Sequence, residues 1–379
     1  MENKQVFSKK KKFFFHTVMV LLLFAVFALA YMSYAAYKTV HIYQNIKAKQ
    51  RGWIGNVHAV DAELGYAPVP NSQGAHAFPI GPDIPMRYDE DGFRVPMEVG
   101  ASSHPRPLFL ELGCSFTYGD AAYAKDTYPY LVGLSLNGTS KNAGVCSYGL
   151  SQMLPLAKKL VPIHKPDYLL VQYSKWLVDR AQNPFAPSYF GKLPTPFFYE
   201  EDHSFALYPP VFLTKILDLP VSLYRNTPNN WIDAVSFYWN VGLPLSAHDD
   251  FNMLKYITYR IIGIIPPPTN SREELIEYVY KEINNVAEEY GVKVVIVVIG
   301  DNATPVEVKE QLFPSGALLV NAHDALLRRL SKINTENYLK EYAHWRGSPP
   351  RVVDTHPNDA AHSIIAGAIV SAITQAEMK

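Results

Sequence analysis

Residues 271–300 read SREELIEYVYKEINNVAEEYGVKVVIVVIG. The first two thirds repeat apolar side chains at Leu275, Val279, Ile283, Val286 and Tyr290, the spacing of one helix face. Ser271 and Glu274 read as a capping box at its start, and Gly291 as its stop. The VKVVIVVIG that follows is too continuously apolar for a strand with one wet face, so it belongs in a sheet covered on both sides. A helix that feeds a buried strand is half of a βαβ unit. Repetition of such units predicts a parallel α/β sheet.

Working outward, PLFLEL, KNAGV and DYLLVQY are further strand-length apolar runs, and SQMLPLAKKLV reads as a helix between the last two. Nearly a hundred residues then break the alternation, at about 180–270. Residues 183–228 hold eight prolines and ten Phe or Tyr side chains, a composition that disfavours long regular elements. A long irregular segment inside a domain reads as a functional lid or inserted subdomain. Packing is the alternative role, with Phe197, Phe198 and Tyr199 covering the core.

Four parts follow along the 379 residues. Residues 1–12 are a basic tail, with Lys4 and the run Lys9, Lys10, Lys11 and Lys12. Residues 13–37 are apolar and can cross a bilayer core of ~30 Å as a helix. The denser lysine cluster precedes them, which places the N-terminus in the cytoplasm and the body in the periplasm or outside the cell. A cleaved signal peptide is the competing reading, because Ala28, Leu29 and Ala30 resemble a processing site. Residues 38–103 read as a tether and an irregular Pro- and Gly-rich leader, with a hairpin turn at the DEDG of residues 89–92, packed on the main domain. Residues 104–379 form that domain.

With 48% hydrophobic and 18% charged residues the chain is not disordered. Its 35 basic and 35 acidic side chains cancel, so no global field favours nucleic acid. The histidines are scattered without H-E-x-x-H, the two cysteines lack zinc spacing, and no Gly-rich phosphate loop is present, so neither metal nor nucleotide cofactor is expected. Cys114 and Cys146 can pair in an oxidising compartment or remain free buried thiols.

Ser115 follows a buried strand and a glycine, a way of presenting a side chain at the carboxyl edge of a sheet where ligands bind. Near the C-terminus, Asp354 and His356 occupy a Pro-containing loop, and Asn358 caps the helix that follows. Serine, histidine and aspartate can then meet, with His356 as base and Asp354 fixing its tautomer. Asp359 and His362 make a second Asp-x-x-His pattern. His356 is favoured because a loop can aim an imidazole over the sheet edge, whereas His362 should lie along the helix.

GCSFTYG, NAGVCSYGLSQ and DTHPNDAAHSIIA resemble the first, second and fifth blocks of the SGNH (GDSL-type) hydrolases over roughly residues 106–379, the insertion excepted. The resemblance implies a flavodoxin-like three-layer αβα sandwich and ester chemistry: Ser115 attacks an acyl carbonyl, His356 moves the proton, and no metal or cofactor takes part. It places the oxyanion donors at the backbone of Ser115 and of Ser147, where the family has glycine, or of Gly149. Cys114 replaces the usual aspartate. The third block departs most, since QYSKWLVDR lacks the family's asparagine; Ser174, Lys175 or Asn142 would have to substitute. The resulting expectation is an exported, membrane-anchored esterase or O-acyltransferase acting on an acylated envelope glycan or lipid. The alternative is a catalytically silent relative that binds or scaffolds surface polysaccharide.

Overall fold

The computed structural model describes residues 9–47, 52–98, 105–188, 191–218 and 231–378. Helix α1, Lys9–Lys47, opens the chain, followed by β1 (Gly52–Ile54), β2 (His58–Asp61), β3 (Gly65–Pro68), β4 (Gln73–Ala77) and β5 (Ile84–Arg87). The main domain begins with β6 (Leu108–Leu112), α2 (Ser115–Tyr118), α3 (Tyr128–Ser135), β7 (Thr139–Asn142), α4 (Leu150–His164), β8 (Tyr168–Tyr173) and α5 (Lys175–Ala181). Hairpins β9 (Phe185–Ser188) with β10 (Gly191–Pro194), and β11 (Phe197–Glu201) with β12 (Ser204–Tyr208), come next. Then follow α6 (Trp231–Phe237), α7 (Leu243–Ile261), α8 (Arg272–Glu289), β13 (Lys293–Val298), β14 (Leu318–Asn321), α9 (Ala322–Leu327), α10 (Thr335–Tyr342), β15 (His344–Arg346), β16 (Arg351–Asp354) and α11 (Asp359–Glu377).

The central sheet has the order β14-β13-β8-β6-β7 with every pair parallel. By appearance in the chain that is 2-1-3-4-5 read from the β7 edge, the flavodoxin-like order. β6 and β8 are buried at every position and β13 at all but its first, as strands covered on both faces must be. Helices α4, α5 and α8 pack as one group, and α3, α9, α10 and α11 as another, which completes three layers. The order in which strands are added reverses between β6 and β8, so a crevice opens beyond their carboxyl ends.

Several local expectations are corrected. The capping box at Ser271 does not form; its Oγ donates to Glu200 Oε1 at 2.8 Å, tying α8 to the β11 hairpin. α1 continues to Lys47 where a tether was expected from Lys38, because Tyr31 and Lys38 bond Asp250 of α7 and hold that end of the helix against the body. The leader is more than one hairpin: β1, β4 and β5 form an antiparallel sheet and β2 pairs with β3. The turn at residues 89–92 is present, with Tyr88 bridging Arg94. Arg94 N–H then donates to Asn142 O on the β7 edge, 3.1 Å, which fastens the leader to the main sheet. The insertion includes a 19-residue helix, α7, which its Pro- and aromatic-rich first half gave no reason to expect. The strand before His356 pairs only with β15 and lies outside the main sheet.

Candidate active site

The chain leaves β6 through Gly113, where a Cβ would collide with Thr117 and lie 2.6 Å from Gln172 Oε1; only glycine makes this turn. Cys114 and Ser115 follow at the start of α2, and Gly119 ends it in the left-handed conformation at φ 81°. Ser115 therefore stands at the sheet's switch point. Its Oγ lies 2.9 Å from His356 Nε2.

Asp354 closes β16, and one of its oxygens does two tasks. Oδ1 accepts the backbone N–H of His356 and faces its Nδ1, both at 2.7 Å. The first bond bends the backbone, which lets residues two apart pair through their side chains. An ionised carboxylate only accepts, so Nδ1 carries the proton and Nε2 is left to accept from the Ser115 hydroxyl. Asn358 Oδ1 caps α11 by accepting Ala361 N–H at 3.0 Å, while its Nδ2 donates to Glu341 and Ala343, so the loop bearing His356 is held from behind. Phe116 packs against the imidazole at 5.2 Å between centroids.

His362 is elsewhere. It is fully buried in α11, its Nδ1 accepts Tyr128 N–H at 3.2 Å, and burial drives its pKa from 6.5 to about 3. It is a packed neutral histidine.

A cavity of about 210 Å³ opens beside the hydroxyl, lined by Ser115, Asp120, Cys146, Ser147, Arg180, Pro187, Ser188 and His356. The two second-block candidates separate here. Ser147 lines the cavity and holds φ 68°, the backbone region that favours glycine. Gly149 has φ −127° and gives its N–H to Gln152 Oε1 at 2.9 Å as the cap of α4. Its missing Cβ serves packing, since one would lie 2.7 Å from Arg180 Cβ. Two of the third-block substitutes are occupied: Ser174 Oγ donates to Ile299 O at 2.7 Å and accepts from Gln172, and Asn142 Nδ2 donates to Thr117 O at 3.0 Å; the third, Lys175, is exposed at the start of α5. Ser174 is thus not aimed at Ser115 as an oxyanion donor.

Cys114 and Cys146 are free and buried, so of the two readings the unpaired one holds. Cys114 Sγ accepts from Gln172 Nε2 at 3.3 Å and Trp176 Nε1 at 3.5 Å. Burial pushes its pKa up, but the Arg180 charge and the Phe116, Trp176 and Gln172 donors outweigh it and leave the thiol below its ordinary value. Around Cys146 burial prevails and the pKa is high.

Three contributors escaped the sequence reading. Asp120, five residues after Ser115, lies 3.9 Å from His356 Nδ1 and 2.6 Å from His76 Nδ1 of β4, so the leader supplies a residue behind the site. Arg180 of α5 lines the cavity while its Nη1 donates to Tyr148 O at 2.9 Å. Pro187 and Ser188 bring the insertion into the wall. Asp120 and Arg180 were visible only as charges near matched blocks, and nothing in the sequence pairs the leader or insertion with the triad.

No protein-family model and no curated protein matches the chain. Among solved structures it is similar to a lipolytic protein of the G-D-S-L family from Desulfitobacterium hafniense DCB-2, at 10% identity and TM-score 0.36, over 70% of this chain and 99% of that one. An acetylxylan esterase from Geobacillus stearothermophilus aligns at 12% identity and TM-score 0.34 over 72% and 96%. A carbohydrate esterase family 2 enzyme from Corynascus thermopiles aligns at 11% identity and TM-score 0.36 over 86% and 89%.

Proposed function

We propose that the chain is a membrane-anchored serine esterase or O-acyltransferase of the SGNH type, its body outside the cytoplasm, acting on an acylated envelope glycan or lipid. The observation that carries this reading is the unbroken relay Ser115 Oγ to His356 Nε2 to Asp354, opening on a cavity. Ser115 Oγ adds to the acyl carbonyl as its proton passes to His356 Nε2, and Asp354 stabilises the imidazolium. The backbone N–H groups of Ser115 and Ser147 receive the oxyanion, with the Arg180 guanidinium in the same cavity making up for the absent third-block asparagine. Collapse breaks the bond to the alcohol oxygen, which takes the proton from His356. Water or a sugar hydroxyl, deprotonated by His356, then adds to the acyl carbonyl, and the acyl–Oγ bond breaks as His356 returns the proton to Ser115.

At about 210 Å³ the cavity is smaller than the ~300–1,000 Å³ of typical ligand pockets, which suits a short acyl group with its alcohol portion outside. The test is turnover of 4-nitrophenyl acetate and octanoate by the full chain in detergent, with and without sugar acceptors. The expected result is acetate cleavage with a burst, lost in Ser115→Ala, and slow octanoate cleavage. Absence of any Ser115-dependent turnover would overturn the esterase reading. The silent binding protein is favoured by one observation, the engagement of Ser174 and Asn142 away from Ser115, and it predicts glycan binding without turnover.

A further inference from the structure

Helix α7 turns large apolar side chains outward. Phe251, Leu254, Ile257 and Ile261 recur at three- and four-residue spacing, the pattern that normally faces a core. Here they face outward, with Phe251 68%, Leu254 62% and Ile261 79% exposed. Toward the protein, Asp249 accepts from Thr214 Oγ1 and from Lys215 N–H, while Asp250, in register with Leu254, Ile257 and Ile261, accepts from Tyr31 and Lys38 of α1. Just before it, Ile232 and Trp239 are also exposed, at 59% and 52%. Large apolar side chains exposed together along one helix face mark an interaction site.

Its place in the fold identifies the occupant. α1 is the one helix among the described residues long and apolar enough to cross a membrane, and its residues from Phe13 to Leu29 are exposed apart from half-buried Val18 and Ala28. α7 contacts it immediately beyond that stretch, through Tyr31 and Lys38 to Asp250, and Tyr238 OH donates to Met32 O at 2.6 Å. Tyr31, Tyr34 and Tyr37 lie at the same level, where interfacial aromatic residues gather. The exposed apolar face of α7 therefore lies next to the end of the exposed stretch of α1.

We infer that α7 lies in the bilayer interface beside α1, its outward face inserted among lipid headgroups and upper acyl chains to the ~5–10 Å depth usual for such helices. The inference rests on α1 as a membrane span and is independent of the serine chemistry. It has a consequence for the site. Tyr256, on the protein-facing side of α7, packs edge-to-face on Phe185 at 5.3 Å, and Phe185 belongs to the hairpin whose Pro187 and Ser188 wall the cavity. The membrane-seated helix braces the cavity's rim, so the site opens close to the lipid surface.

The experiment uses the full chain in nanodiscs of phosphatidylethanolamine and phosphatidylglycerol, with one added cysteine at Leu254, at Ile261 or, as an exposed control in the β11–β12 hairpin, at Ser204, each carrying an environment-sensitive fluorophore. Cys114 and Cys146 are buried, and the wild-type chain gives the background label. The expected result is strong quenching at 254 and 261 by doxyl-labelled lipid with iodide quenching several-fold weaker than at 204, where lipid quenching is absent. Iodide access at 254 and 261 equal to that at 204 would overturn the inference. Protection from both quenchers would overturn it too, by showing that a protein, such as a second copy, covers the face.

Discussion

Asp354 Oδ1 holds both the backbone N–H and the ring of His356, so this carboxylate fixes loop and tautomer together. Asp354→Asn should keep the fold and lower kcat on an acetyl ester by about 10³- to 10⁴-fold, because an amide NH₂ facing Nδ1 favours the wrong tautomer. A loss below tenfold in steady-state kinetics would show that Asp120, 3.9 Å from the same nitrogen, takes over the task. Ser147 makes a different statement, since its backbone matters more than its hydroxyl. Its φ of 68° costs a non-glycine residue of order 1 kcal/mol. Ser147→Gly should raise the thermal midpoint of the detergent-solubilised chain and leave turnover within a few-fold. A large loss of turnover there would move the oxyanion role to the serine side chain.

At the scale of elements, continuously apolar strands were legible because burial on both faces removes every polar position, and the order of helices and strands then fixed a parallel sheet. Ser115, His356 and Asp354 were legible for a related reason: turn residues bound them tightly. The insertion was not, because Pro and aromatic content says what a segment avoids and little about what it forms. Nor was the contribution of His76, which reaches Asp120 through tertiary contact alone. The capping box at Ser271 failed where tertiary and local partners oriented the residue instead: its hydroxyl donates to Glu200, and its backbone N–H, which Glu274 would have accepted, donates to Thr269 Oγ1. One element carries a visible conflict. Glu111 sits fully buried in β6, where burial, only partly offset by the Ser140 hydroxyl, pushes its pKa well above the carboxylate range. A raised carboxyl pKa contributes stability at low pH that is lost as pH climbs past the unfolded value near 4.5. Glu111→Gln should therefore stabilise the chain at pH 7.5, on the order of 1–3 kcal/mol, and much less at pH 4, measured by denaturant midpoints. Equal midpoints at pH 7.5 would show that the carboxyl is better solvated than its position implies.

For the whole molecule, pH reports the buried histidines. Burial, reinforced by nearby cationic groups, holds His362 at about 3, and burial, opposed by Asp120, holds His58 at about 3. Both are neutral in the folded state. The unfolded chain binds protons below about 6.5 that the folded chain refuses until about 3, so stability is full above pH 6.5 and falls between those values, by on the order of 2 kcal/mol per histidine at pH 5. His362→Asn keeps an acceptor for Tyr128 N–H and cannot titrate; it should flatten the denaturation midpoint between pH 7.5 and pH 5, and an unchanged slope would contradict the assignment. The architecture joins three remote parts at one cavity: the leader through His76 behind Asp120, the insertion through Pro187 and Ser188, and the C-terminal loop through His356. The most direct test of the account is fluorophosphonate labelling of the purified full chain, read as intact mass with peptide mapping, in wild type, Ser115→Ala, His356→Ala and His362→Asn. The account predicts one adduct, on Ser115, absent from the first two variants and retained in the third; a folded wild type that forms no adduct, or forms it on another residue, would contradict it.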